Sequence, residues 1–514
     1  MSISTPASSA PTKGFRRSAV ILLGILGAIQ VADPLISSLA LVKASDELNF
    51  SASVQSLAAG ISTLALAATV IPGGLLADRL GRRQVLMASI LVAAAGQIIT
   101  AVGTDSGVYL LGRVIAGIAL GITFGAAYGM LREVSSAKSL GPAMATFNIV
   151  NGIIPVVAMV ATGVLVAINW RIAYLILPIV SIVSFPFIPG ILPKVAKLPG
   201  GKVDLWGMTF VAVGVAGLLF GISAASGGLE KPAFWGSILI GLVAFAAFAI
   251  VENTSKNPVF PIKLLTHPAF LGAVIMGIFW NFGAAAMSQM LPNFWQYVTH
   301  MPSGLLGVAS LPMSAAGIIG SLLAGVFLGK GIASRTLATI GYGLIVVGFL
   351  SYTLVTPAAG YLIFIPGMLL AGAGWMMNAT SQGNLFIRLA PAKFFGPVTS
   401  SKVTVGQFGY ALGLTGTTVL VSMFTLAGVD KATKGAVTGE SNWDAITSYL
   451  ATGKTENSAL SVVSQSDLAT IYSQAFQTTS VIVAVIVAIA GVFMYINLKS
   501  KKADIPVDEF LGLS

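Results

Sequence analysis

The chain has 514 residues, 56% of them hydrophobic and only 9% charged, with a mean hydropathy of +0.91, which excludes a soluble globular domain. It has no cysteine and two histidines, His267 and His300, so disulfides, Cys-based redox chemistry and a histidine metal cluster are excluded; both histidines read as ordinary loop residues. The net charge of +11 is spread thinly between apolar segments rather than gathered on one polar face, so it does not mark a nucleic-acid partner.

Residues 1–12, rich in Ser, Pro and Ala, read as disordered. Crossing ~30 Å of hydrocarbon takes about 20 helical residues, and fourteen apolar runs of that kind follow: 18–42, 52–76, 84–103, 108–131, 140–166, 171–192, 204–224, 233–251, 269–291, 304–328, 336–356, 360–386, 397–427 and 478–498. Backbone in hydrocarbon must satisfy itself, so these runs are predicted to be helices, joined by turns rich in Gly, Pro and charge. The first reads as a retained span, because its apolar run outlasts a signal-peptide core and thirteen more spans follow. Residues 428–477 read as the largest non-membrane piece, a polar external loop too small for an ordinary catalytic domain. Within it Gly453-Lys454-Thr455 does not make a phosphate loop, since Ser448 stands where the leading Gly is needed. With no nucleotide motor, any transport must draw on an ion gradient or on the substrate's own.

Lys and Arg orient the bundle. With a cytoplasmic N-terminus, twenty of the 28 fall on the inner side and six outside, while Arg113 and Lys402 lie within spans. That is the positive-inside pattern, and an even number of spans returns the C-terminus to the cytoplasm.

In the first inner hairpin, Gly73 and Gly74 permit close helix approach, and Asp78 is a lone acid among Arg79, Arg82 and Arg83. The run Gly74-Leu75-Leu76-Ala77-Asp78-Arg79-Leu80-Gly81-Arg82-Arg83 closely resembles the signature loop of the major facilitator superfamily. Other stretches resemble its fourteen-span drug:proton antiporters: Asp33-Pro34 to Ala40 in the first span, with Leu35 in place of the usual Thr; Arg113 and Gly117 in the fourth; Asn169-Trp170-Arg171 and Asp204-Leu205-Trp206-Gly207 opening the sixth and seventh. The fifth-span antiporter motif departs, with Gly152-Ile153-Ile154-Pro155 where Gly-Pro is usual. The resemblance implies an all-α major facilitator fold: a tail 1–17, a six-helix half 18–192, two extra helices with linkers 193–257, a second half 258–498 and a tail 499–514. It further implies a monomer in a bacterial cell membrane, with protons, a small organic substrate and membrane lipids as partners, and neither metal nor cofactor. Gly325 to Lys330 with Arg335 occupies the equivalent hairpin of the second half, without an acid.

Charged groups inside a bundle are costly and rarely idle. Asp33 is the one acid placed well inside a span, about ten residues or ~15 Å from its outer end, and Arg113 lies about six residues or ~9 Å from the outer end of its own. Burial favours a neutral carboxyl group and a nearby guanidinium an ionised one, so alternating contact and separation of the pair would take up and release a proton. Lys402 reads as snorkelling to the inner surface. Gly117, Gly121, Gly125 and Gly129 give the fourth span a smooth packing face. Gln30, Trp280, Asn281, Gln289, Trp375, Asn378, Gln382 and Gln407 are candidate pocket groups for an amphipathic compound. In the superfamily the hairpin acid meets the start of a second-half helix, here Gly396-Pro397; the expectation is a latch in which Asp78 shuts the inner gate, Gly74 lets the helices close and the Arg residues anchor at headgroups. The expected function is proton-coupled export of a drug-like molecule; a dedicated metabolite or lipid on the same fold is the alternative. An integral enzyme or a sensor ranks last, since no cluster of acids, His or nucleophile assembles.

Overall fold

A computed structural model describes residues 14–50, 52–136, 138–195, 204–225, 231–255, 258–439, 442–455 and 457–513. The expected disorder of residues 1–12 lies outside them. The described chain is helical, with no β-strand beyond one isolated bridge, Phe15 to Ser135. Its helices are α1 Arg17–Glu47, α2 Ala52–Leu80, α3 Arg82–Val102, α4 Ser106–Gly129, α5 Leu140–Ile168, α6 Trp170–Ala173, α7 Ile176–Ser184, α8 Phe187–Ile191, α9 Leu205–Ala224, α10 Pro232–Thr254, α11 Pro268–Tyr297, α12 Ser303–Ala309, α13 Leu311–Gly329, α14 Ser334–Ser351, α15 Ile365–Leu389, α16 Phe395–Ala432, α17 Trp443–Thr452, α18 Gln465–Lys499 and α19 Val507–Leu511.

Thirteen helices among the described residues are long and apolar enough to cross a membrane. The expected sixth span is not one helix but three, α6 to α8. Pro178 and Pro186 explain the breaks, because each lacks an N–H and crowds the preceding turn. The broken segment still covers the depth of α3. Arg171 of α6 donates to Ala101 O (2.8 Å) and Gly103 O at one end of α3, while Arg83 at the other end donates to Pro189 O in α8 (3.2 Å). The two ends of the segment thus lie level with the two ends of α3.

Helices α1–α8 form one half and α11–α18 the other. The α9–α10 pair lies between them in sequence and packs through α9 on α2 and α16. The first and last described segments lie at one end of the bundle, here called the base. There the Arg16 N–H donates to Val134 O (2.9 Å), and His267 Nε2 lies 3.0 Å from Ile505 O. His267, in the connection just before α11, is consequently no ordinary loop residue: it is fully buried, edge-on to Phe510 in α19. His300 is exposed at φ 52°.

The polar piece 428–477 is also not a loop. α16 runs on to Ala432, α17 follows, and α18 begins at Gln465 rather than near 478. Leu468, Tyr472, Ala475 and Phe476 are buried along one face of α18, a helical period that averaged hydropathy hides beneath the intervening polar residues. Ile446, Leu450, Leu460 and Val463 join this region to the apolar core of α11, α14, α15 and α18.

Candidate functional site

α1 carries Asp33 one residue before Pro34, whose missing N–H leaves the Gln30 carbonyl without its intrahelical donor. α4 starts from an Asp105 cap accepting from Gly107 N (2.8 Å) and Val108 N (3.0 Å), and its third turn presents Arg113. The two side chains meet in a bidentate pair, Nη1 to Oδ1 at 2.6 Å and Nη2 to Oδ2 at 2.9 Å, with Asp33 1% and Arg113 0% exposed. Two further donors complete the carboxylate: Ser62 Oγ of α2 (2.7 Å) and Gln97 Nε2 of α3 (2.5 Å). Behind Arg113 stands the ring of Tyr174, 5.5 Å from the guanidinium carbon; its hydroxyl lies 2.6 Å from Tyr109 OH and donates to Ser37 Oγ at 3.2 Å. Nearer the far end, the Glu47 carboxylate accepts from Trp170 Nε1 (2.6 Å) and Arg171 Nη2 (2.9 Å), which hold its carboxyl below the usual range.

None of Ser62, Gln97, Tyr109 or Tyr174 was singled out from sequence. Their signal is weak: single neutral polar residues are common in spans, and these four lie on four separate segments.

The second site is at the base. Asp78 in the last turn of α2 is 5% exposed and binds in two directions. Its Oδ2 accepts from Gly396 N at 2.5 Å in the first turn of α16, and its Oδ1 accepts from Arg82 Nη2 at 2.6 Å and Nε at 2.8 Å. Gly81 between them sits at φ 102°, where a side chain is strained. Gly74 lies against Gly396 and Ser400, backbone on backbone. Arg82 does not anchor at headgroups: it is 6% exposed, bonded to Gly129 O, with its guanidinium 4.7 Å from the Phe395 ring centroid. The absence of a side chain on Gly129 leaves it room. Arg83 is engaged by the α8 carbonyls, and Arg79 is half-buried.

A second crossing mirrors the first. Gly325 of α13 lies against Ala145 and Gly141 of α5, and Gly329 against Pro142. Above it Asn148 Nδ2 donates to Thr380 Oγ1 (2.9 Å), which lies 2.8 Å from Ser321 Oγ. Both crossings join the halves near the base. Gly60 of α2 and Gly152 and Gly163 of α5 have nothing within 4 Å of where a Cβ would stand.

Of the pocket candidates, Trp280 Nε1 donates to Gln382 Oε1 (3.0 Å), and Asn281, bonded to Gly277 O, faces Gly406 beside Gln407. Trp375 instead faces Gly317 of α13 and Asn378 faces Gly341 of α14. Gln30, Gln289 and Gln407 are half-buried, and among the described residues no hydrogen bond joins them to the Trp280 group. Lys402 does not snorkel: its ammonium lies 5.3 Å from the centroid of the buried Tyr128 ring of α4.

The sequence model of the Major Facilitator Superfamily matches residues 21–414. The chain belongs to that superfamily. Superfamily relatives include the Multidrug transporter protein MdtP of Bacillus subtilis, 25% identical over 68% of this chain and 65% of that one, and the Lincomycin resistance protein LmrB of the same organism, 25% identical over 79% and 84%. The alignment with the Uncharacterized MFS-type transporter Rv1877 of Mycobacterium tuberculosis, also 25% identical, spans 55% of this chain and only 41% of that protein. Among solved structures, the proton:xylose symporter XylE superposes at a TM-score of 0.61 with 13% identity, covering 97% of this chain and 99% of its own. A bacterial homologue of the lysosomal transporter Spinster gives 0.57 with 15% identity, over 95% and 98%. These superpositions concern the fold alone: the chain is an integral multi-pass membrane protein of that superfamily.

Proposed function

We propose that this superfamily member is a proton-coupled antiporter of the fourteen-span type, exporting amphipathic organic molecules from a bacterial cell as a monomer, with the base and both termini in the cytoplasm. The observation that carries this reading is the buried Asp33–Arg113 pair. Neutralising one member of such a pair leaves the other charge uncompensated, at a cost of about 3–5 kcal/mol. That exceeds the few kcal/mol separating the states of a typical two-state protein. A proton on Asp33 is thus enough to release Arg113 toward Tyr174 and to free α1 from Ser62 and Gln97 as well. When Arg113 returns to the carboxylate, the proton leaves. The base crossings are closed, which fits a conformation open to the side from which the proton enters. The relatives named for multidrug and lincomycin resistance support an organic substrate.

The test uses proteoliposomes with an imposed pH gradient and a panel of labelled compounds. Asp33→Asn is expected to abolish gradient-driven transport while leaving a monodisperse, folded protein. Undiminished proton-driven transport by that variant removes Asp33 from the mechanism.

A further inference from the structure

Lys402 is the charged group in the bundle interior that the proton site and the base latch leave unexplained. Among the described residues, Asp33, Asp78 and Glu47 each pair with an arginine, and no ion pair includes Lys402. It lies six residues beyond Gly396, about 9 Å up α16 from the base crossing. Its ammonium faces Tyr128 across the boundary between the halves, and its Cε lies 3.6 Å from where a Cβ on Gly383 of α15 would stand. Three helices, α4, α15 and α16, therefore converge on one cation.

Tyr128 supplies the second observation. It is fully buried, and its hydroxyl has no hydrogen-bond partner. Its ring is fixed by stacking on Phe124 (5.4 Å between centroids) and by edge contact with Phe147 (5.7 Å). A buried hydroxyl is normally satisfied, and a cation at membrane depth normally has a partner. A ring face offsets only part of that cost. One missing group answers both deficits: an anion accepting from the ammonium and from the phenol. Lys402 retains partial exposure, so the place is reachable.

We propose that Lys402 and the Tyr128 hydroxyl form a subsite for the carboxylate of an amphipathic organic anion, between the halves just above the base crossing. The inference rests on the exporter reading and deepens it by naming the substrate class. Asp33 is already balanced by Arg113, so the interior is one positive charge in excess at this subsite and disfavours organic cations. Exchange of one such anion outward for one proton inward moves two positive charges inward, so the membrane potential assists the cycle.

Fluorescent dansyl-aminocaproate tests the subsite, with its uncharged primary amide and cationic dansylcadaverine as matched probes, titrated onto the full-length protein in detergent. The acid is expected to bind the native protein most tightly. Lys402→Gln should weaken the acid by about thirtyfold or more and the amide by less than about threefold. Tyr128→Phe should weaken the acid by about tenfold, and Lys402→Arg should restore most of its binding. Unchanged amide binding reports that each variant is folded. Equal affinity for all three probes, no saturable binding of the acid, or a Lys402→Gln loss shared equally by the three overturns the subsite; the last outcome makes the Lys402–Tyr128 contact a gate alone. Binding needs no gradient, so the two readings fail separately. Acid-selective binding without pH-driven transport refutes the exporter and leaves the subsite.

Discussion

Replacing Gly74 by Ala tests the base crossing where it is tightest. A Cβ there would lie 2.5 Å from Gly396 O and 2.6 Å from Gly396 C, besides meeting Ser400 Oγ. Ordinary carbon contact begins near 3.5 Å, so the helices must part by about 0.9 Å. Ser400 can turn its side chain aside. The Gly396 carbonyl belongs to the first turn of α16 and cannot, and the bond from Gly396 N to Asp78 ties it closer still. Overpacking of this kind costs about 1–3 kcal/mol. At ~2 kcal/mol the closed base loses about thirtyfold in population relative to an open one. The chain has no cysteine, so spin labels at Leu80 and Lys393, both exposed near the crossing, require no background substitutions. The expected result for Gly74→Ala is a longer Leu80–Lys393 distance in most molecules. Gly60→Ala on the same helix, with nothing within 4 Å, is the control and should leave it unchanged. A Gly74→Ala distance distribution identical to the native one refutes the view that backbone contact at Gly74 holds the base shut.

Asp78→Asn removes the charge from the Gly396 N–H and Arg82 bonds, each charge-assisted bond being worth about 1.5–3 kcal/mol. The same label pair should widen, and an unchanged spacing would mean that the carboxylate is no latch. Arg113→Ala should shift the pH optimum of transport, while Arg113→Lys, which keeps the charge but loses the planar fork, should retain part of the rate. An unchanged pH profile for Arg113→Ala would confine that arginine to a structural role.

Hydropathy alone predicts the spans because hydrocarbon imposes one backbone solution on every crossing. It fails where the chain departs from a uniform apolar rod: Pro178 and Pro186 cut the sixth span, and the amphipathic start of α18 extends the last by more than three turns. Asp33 and Arg113 were legible since a charge in a span is rare enough to stand out. Gln97 and Ser62 were not, for their importance comes from partners 64 and 29 residues away that only the packed bundle supplies. The fate of the arginines was hidden for the same reason. Arg82 turns inward because Gly129, on another helix, leaves space beneath it, and nothing in the hairpin itself distinguishes it from Arg83. Lys402 likewise reads as a terminal cation until the ring of Tyr128 is found beside it.

The proposed proton site and the proposed latch are joined through α4 rather than along the chain. Gly117, Gly121 and Gly125 set α4 directly on the α2 carbonyls of Ser62, Leu66 and Val70. Gly129 O, sixteen residues or about 24 Å beyond Arg113, takes the hydrogen bond from Arg82 that also holds Asp78. Backbone contacts of this kind leave little freedom for sliding, so α2, α3 and α4 make one block carrying the latch at its base. Asp33 belongs to α1, which packs mainly on α5, and its carboxylate ties that pair to the block through Arg113, Ser62 and Gln97 together. Protonation loosens all three ties at once, and α5 bears the other base crossing, against α13. On the proposed mechanism one proton therefore frees the α1–α5 pair from the block that carries Asp78, and the two base crossings, no longer held in register, can open without either being touched directly.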